Sequence, residues 1–355
     1  MNLDNHISFP TLDTQSQMGS IELLGKQATH AWEIGSQVVV PPEYATSTNI
    51  VFSGMGGSSL GSYVARYLYG LTMSVPFEII NDYHLPRYVG PQTMVIIQSY
   101  SGGTEESLSC FEDAVSAGAR ICTISAGGEL EERARKHGNP HFHITPTYNP
   151  CNQPRMAIGY SIMALLSFLH NTKFITLLDE ERTNIERTIE ENNLLYAKTV
   201  PTASNPAKQL AERLYDRFPI YIAAEFLQGA IHAMRNQLHE NAKSFAVEHP
   251  IPEMNHHLLE ALRFPTSTHD RDVYIFLHSG LYAERNKDRC MFSADIIIEA
   301  GHNVVRHVVS GAFPISQVFS AIHFGAYVGL YLAMREDIDP SPIPHVENLK
   351  LKLAK

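Results

Sequence analysis

Short apolar runs alternate with longer amphipathic stretches along the first half of the chain. Strand candidates fall at Ile50–Ser53, Phe77–Ile80, Met94–Gln98, Arg120–Ile124 and His141–Ile144. The runs beginning at Asn49 and Met94 are short and apolar enough to be buried parallel strands. Between the candidates lie helix-type stretches such as Ser59–Leu71 and Glu105–Ala117. This alternation predicts a parallel sheet flanked by helices. Upstream, Ile21–Gln37 reads as a helix carrying Leu23, Leu24, Ala28 and Trp32, which stops before Pro41-Pro42.

After the proline-punctuated loop Pro146–Pro154, an apolar helix over Met156–Leu169 closes this unit, and Asp179–Asn193 reads as a solvated connecting helix. The plan then recurs. Pro219–Ala224 is a strand candidate followed by an apolar helix, Asp272–His278 takes the place of Met94–Gln98, and Ala294–Ser310 parallels Glu112–Ser125. The offset is roughly 180 residues, as expected of an internal duplication. The predicted organisation is a helical extension over 1–45, a first α/β domain over 46–175, a helical linker over 176–205, a second α/β domain over 206–335 and a tail over 336–355. We read Asp4, His6 and their polar neighbours as part of a loose N-terminal tail.

A chain of 355 residues is long for one core, in keeping with two domains. Hydrophobic residues make up 44% and charged residues 18%, a globular balance. The formal net charge of −10 argues against nucleic acid or an anionic membrane as partner. Cys110, Cys122, Cys151 and Cys290 show neither a CxxC pair nor metal-ligand spacing, so reduced thiols are expected. The N-terminus lacks a secretory layout, and no apolar stretch reads as a membrane helix. A cytoplasmic location is the expectation.

Two turns stand out against this background. GMGGSSLG (Gly54–Gly61) and SYSGGTEES (Ser99–Ser107) each directly follow a strand candidate. Glycines allow a sharp turn into a helix, whose free N–H groups, with hydroxyls from Ser58, Ser99, Ser101 and Thr104, suit a phosphate dianion. The second half has no such hydroxyls: Ala224–Leu227 and Ser279–Tyr282 stand at the corresponding places. The densest remaining polar cluster is Asn236–Lys243, followed by Pro252–His257. Its carboxylates and imidazoles fit a sugar-phosphate isomerisation, which needs a ring-opening acid/base and a base that moves a proton between C1 and C2.

Together these motifs resemble the bifunctional phosphoglucose/phosphomannose isomerases of the SIS (sugar isomerase) superfamily over most of the chain. The family's motifs appear here in order as GMGGSS (Gly54–Ser59), SYSGGTEE (Ser99–Glu106), Pro154-Arg155 before Gly159-Tyr160, HENAK (His239–Lys243), PEMNH (Pro252–His256) and a C-terminal lysine. The resemblance implies two SIS domains in a homodimer whose subunits share site residues, a hexose 6-phosphate substrate, and no metal or other cofactor. It assigns Glu240 as catalytic base and His256, not its neighbour His257, as the ring-opening histidine reaching across from a partner subunit. Arg155 would steady the enediolate, and Lys350, or Lys352 in the alternative register, would join the pocket. Gly56, Gly57 and Ser58 would lie beside the sugar, and Ser99, Ser101 and Thr104 would hold the phosphate. Ser59, Gly103 and His239 depart from the family's glycine, asparagine and asparagine; an imidazole beside Glu240 could shift the base's pKa.

Two rivals fit less of the chain. GMGGSS approaches a dinucleotide fingerprint, with Asp82 after the next strand as ribose partner, but Ser59 occupies the last glycine position and the second serine loop is unexplained. A sugar-phosphate sensor built on the same fold would need no convergent carboxylate and imidazole. Another chemistry of the superfamily, aminosugar isomerisation or amidotransfer, normally needs an ammonia source, and no glutaminase-like cysteine stands at the N-terminus.

Overall fold

The computed structural model describes residues 2–353. Its first sheet has five parallel strands: β1 (Asn49–Gly54), β2 (Phe77–Ile80), β3 (Thr93–Gln98), β4 (Arg120–Ser125) and β5 (His141–His143), in the order β2-β1-β3-β4-β5. The second has four, β6 (Phe218–Ala224), β7 (Val247–Ile251), β8 (Asp272–His278) and β9 (Asn303–Val308), again all parallel, in the order β7-β6-β8-β9. The second sheet thus repeats the order of the first four strands. Helices α1 (Gln17–Glu22), α2 (Leu24–Ser36), α3 (Leu60–Tyr69), α4 (Glu105–Ser116), α5 (Gly128–His137) and α6 (Ile158–Asn171) belong to the first half. They are followed by α7 (Asp179–Tyr196), α8 (Pro206–Leu214), α9 (Gln228–Gln237), α10 (Glu284–Glu299), α11 (Pro314–Arg335) and α12 (Pro344–Leu353).

Every residue of β3 is buried, as the continuous apolar run required. The expected helix over Ile21–Gln37 is instead two, broken at Leu23, where the backbone leaves helical geometry (φ −92°, ψ 7°). The connecting helix α7 is not solvated all round. It buries Asn184, Ile185, Thr188, Ile189, Asn192 and Tyr196, and Asn192 Nδ2 donates to Ser320 Oγ of α11 at 3.0 Å. Its buried stripe is half amide and hydroxyl, so apolar periodicity alone does not reveal it. The N-terminal stretch is not loose either. Leu3 is fully buried, and Asp4 accepts from the Thr202 amide (2.8 Å) and Lys208 Nζ (3.3 Å).

The two halves close on each other through α3, α9 and α11. At the α3–α9 crossing a Cβ on Gly229 would lie 2.7 Å from the Tyr63 carbonyl oxygen, so this close approach requires glycine. Helix α11 is long and apolar enough to cross a membrane by length and composition, contrary to the reading of the sequence. In this fold its apolar window is entirely buried among α7, α8 and α9.

Candidate active site

In the first sheet the chain passes from β1 to β2 on one side and returns to β3 on the other. Strand order therefore reverses between β1 and β3, and the crevice beyond their C-terminal ends is where open α/β sheets bind ligands. Both serine loops open there. Ser99 Oγ and Thr104 Oγ1 lie 2.8 Å apart, and Ser101 Oγ accepts from the Gly103 amide at 3.3 Å. Thr104 precedes α4 without capping it through its side chain, so first-turn amides face the loop. Gly102 (φ +71°) turns the loop so tightly that an added Cβ would meet the Gly127 carbonyl oxygen at 1.9 Å. Ser58 ties the two loops together: its Oγ accepts from the Tyr100 amide at 3.0 Å. Tyr100 itself is packed, its hydroxyl bonded to Asn152 Oδ1 (3.1 Å) and to Asn149 Nδ2 (3.3 Å).

The first loop also touches the second cluster. Gly56 is exposed at φ +52°, and a Cβ on Gly57 would stand 3.0 Å from the Arg155 amide nitrogen. Arg155 sits in a single 3-10 turn, Pro154–Met156, braced by Gln27 of α2, whose Nε2 donates to the Met156 carbonyl at 3.0 Å. Its side chain is 2% exposed. Nε donates to Asn241 Oδ1 (2.6 Å), one terminal nitrogen to Gln153 Oε1 (3.0 Å), and the other to the carbonyls of Pro340 (3.1 Å) and Ser341 (2.8 Å). All four acceptors are neutral. The charge is answered by Glu240, whose Oε2 lies 3.5 Å from the first terminal nitrogen.

Glu240 comes from a π-helical turn, Leu238–Ala242, that ends α9. Such wide turns within helices concentrate at functional sites because they re-aim side chains. Burial raises the Glu240 pKa above the ordinary carboxylate value, while the charges of Arg155, Lys243, His239 and Lys350 pull it down without cancelling the shift. His239 stacks on Phe245, and its Nε2 lies 3.0 Å from the amide nitrogen of Ala246. Of the two C-terminal lysines, Lys350 is the one whose charge bears on Glu240.

Lys243, which sequence reasoning passed over, closes the π turn in a left-handed conformation (φ +55°). Its Nζ donates to the carbonyls of Glu240 and, at 3.0 Å, Pro340. Burial, helped by the nearby Arg155 charge, holds its pKa down to about 8. Its place in the HENAK motif was the available signal. Gln153 and Asn241 were likewise passed over, although Asn241 adjoins Glu240 and Gln153 stands two residues before Arg155.

One predicted residue is not brought in. His256 is exposed in the 3-10 turn Glu253–His256 after β7, and among the described residues no hydrogen bond or ion pair joins it to Glu240 or Arg155. Among the described residues, the second half carries no serine-rich loop at its own strand reversal. There Glu225 supplies a carboxylate, its Oε1 accepting from the Ala283 amide (2.8 Å) and Asn286 Nδ2 (2.7 Å) at the start of α10.

Residues 203–353 match the family described as the bacterial phospho-glucose isomerase C-terminal SIS domain. A bifunctional phosphoglucose/phosphomannose isomerase of Thermoplasma acidophilum is 29% identical over 87% of this chain and 91% of its own. A crystal structure of a hypothetical protein from Thermus thermophilus shares the fold with a TM-score of 0.76 at 16% identity, covering 99% of this chain and 95% of that one. The bifunctional phosphoglucose/phosphomannose isomerase of Caldicellulosiruptor bescii is 32% identical over 95% of this chain and 98% of its own length. The chain therefore belongs to the bifunctional phosphoglucose/phosphomannose isomerase family.

Proposed function

We propose that the protein is an aldose–ketose isomerase that interconverts glucose 6-phosphate and mannose 6-phosphate with fructose 6-phosphate. The observation that carries this is the 3.5 Å pairing of Glu240 with the buried Arg155, beside a serine-lined anion cradle. Ser99, Ser101, Thr104 and Ser58 hold the phosphate, and that remote anchor places C1 and C2 at Glu240. Glu240 takes the proton from C2 of the aldose and delivers it to C1 of the enediolate, while the hydroxyl proton passes from O2 to O1, giving the ketose. The enediolate between them carries negative charge, which Arg155 and Lys350 stabilise. Electrons stay within the sugar, so the reaction balances without an external oxidant or reductant, and we assign no metal or cofactor.

His256 opens the sugar ring from a partner subunit in a homodimer. What supports this is its exposure on a surface turn, with no hydrogen bond or ion pair to the Glu240 of its own chain among the described residues. All four cysteines are buried free thiols, which suits a reducing compartment, the cytoplasm, in a protein with no nucleic-acid or membrane partner. The test is a coupled assay with fructose 6-phosphate that detects the two aldose phosphates separately. Both products establish the bifunctional reading. Binding of fructose 6-phosphate by calorimetry with no turnover overturns it in favour of a sensor.

A further inference from the structure

The edge strand β5 carries a cluster for which the isomerisation has no use. Phe142 points into the apolar core, and the period-two alternation of a strand puts its neighbours His141 and His143 together on the other face. Glu131, from the first turn of α5, meets them there. Its Oε2 lies 2.9 Å from His143 Nδ1 and 3.6 Å from His141 Nε2.

We propose that Glu131, His141 and His143 form a binding site for one divalent transition-metal ion of the zinc class. Two imidazole nitrogens and one carboxylate oxygen are a zinc donor set that leaves a fourth position for water. One such atom from each residue lies within 4.8 Å of the others. Tetrahedral zinc, with bonds of about 2.0–2.1 Å, sets its ligand atoms about 3.3 Å apart, between the two separations found here.

The outer contacts fit as well. His141 Nδ1 is 2.8 Å from Thr123 Oγ1 on β4, a contact that holds the ring with Nε2 on the side of Glu131. That Nε2 is buried without a hydrogen-bond partner. Arg135 holds the other Glu131 oxygen, Oε1, at 2.7 Å, leaving Oε2 to the metal. On binding, the proton shared between His143 Nδ1 and Glu131 Oε2 passes to solvent or to the distal ring nitrogen.

The ion would fasten α5 to the sheet edge. Helix α5 begins at Gly128, where an added Cβ would lie 2.4 Å from the Ser101 carbonyl oxygen, so the fastening backs the second serine loop.

The test is calorimetric titration of chelator-stripped full-length protein with Zn²⁺, alongside His141→Ala, His143→Ala and Thr123→Val, with thermal melts in the same buffer. The wild type should bind one equivalent and melt higher with zinc. Removing the Thr123 hydroxyl that positions His141 should weaken binding by about 10–100-fold, and removing a ligand by at least as much. His143 is half exposed, so its variant should keep the fold. Failure of the wild type to bind zinc, or equal affinity in the wild type and His143→Ala, overturns the proposal and leaves only a hydrogen-bonded edge cluster.

Discussion

Arg155 and Glu240 form an ion pair in which only the cation is fully dry: the arginine side chain is 2% exposed and the glutamate 29%. Four hydrogen bonds to neutral oxygens fix the guanidinium without neutralising it. Its field is thus directed at a carboxylate that retains access to a ligand. Burial raises the pKa of that carboxylate and the field limits the rise, as a base working near neutral pH requires.

Replacing Glu240 by Gln removes the proton acceptor and little volume. Turnover should fall by about 10²–10⁴-fold, the usual worth of a positioned general base. Fructose 6-phosphate affinity, which the proposed mechanism assigns to the serine loops, should change far less. Coupled kinetics and calorimetry on one preparation separate the two effects.

The pH profile follows from the direction of the Glu240 shift. The base works only when ionised, so kcat/KM should decline as pH falls through a value above the ordinary carboxylate range. Arg155 holds that value down, and Arg155→Met should move the limb to higher pH. The same variant leaves oxygens on Asn241, Gln153 and Ser341 unpaired, at about 1–3 kcal/mol each where water cannot reach them, while the Pro340 carbonyl keeps its bond from Lys243. Urea denaturation should register the loss. For stability the sign is opposite to that for rate: a raised folded pKa means Glu240 favours the fold fully below its unfolded pKa and loses that contribution as pH rises through the raised value.

Lys243 offers a titration of its own. With its folded pKa near 8 against 10.5 for an ordinary lysine, its contribution to stability is present above the unfolded value and is lost as pH falls through about 8. Competitive acetylation followed by peptide mass analysis should give a midpoint near 8 for this amine. A midpoint near that of exposed lysines would show that its carbonyl contacts do not bury it in solution.

Gly102→Ala places a side chain at φ +71° against the Gly127 carbonyl oxygen. The left-handed conformation alone costs about 1–2 kcal/mol, and backbone must also move. The second serine loop should shift, raising KM for fructose 6-phosphate more than it lowers kcat. Steady-state kinetics on the folded variant decide between that outcome and a general loss of activity.

Much of the fold was legible because buried parallel strands are written as apolar blocks, and β1, β3, β6 and β8 could be placed from them. Strand β7 was missed because Val-Glu-His-Pro-Ile is a partly exposed edge strand whose proline and charges imitate a loop. The burial of α7 was hidden by its amides and hydroxyls. Within the site, the serine loops could be read because each is one continuous segment between a strand and a helix. The meeting of Arg155 with Asn241 and the carbonyls of Pro340 and Ser341 joins three distant segments, and no local pattern encodes it. The docked N-terminus was obscured in the same way, since Asp4 finds Lys208 only after the chain has folded.

Subunit mixing addresses the sharing of the site. In the homodimer proposed above, Glu240→Gln and His256→Ala proteins should each be nearly inactive on their own. Unfolded together and refolded, they should regain activity through mixed dimers in which one site has both groups intact. Activity no higher than the sum of the separate preparations would place His256 and Glu240 of the same chain together instead.

Proton transfer through an enediol can be read from deuterium. Incubated in D₂O with fructose 6-phosphate, the wild type should introduce deuterium at C1 of the ketose pool and at C2 of both aldose products, and Glu240→Gln should introduce almost none. Equal turnover and equal labelling by the variant would contradict a proton transfer carried by Glu240.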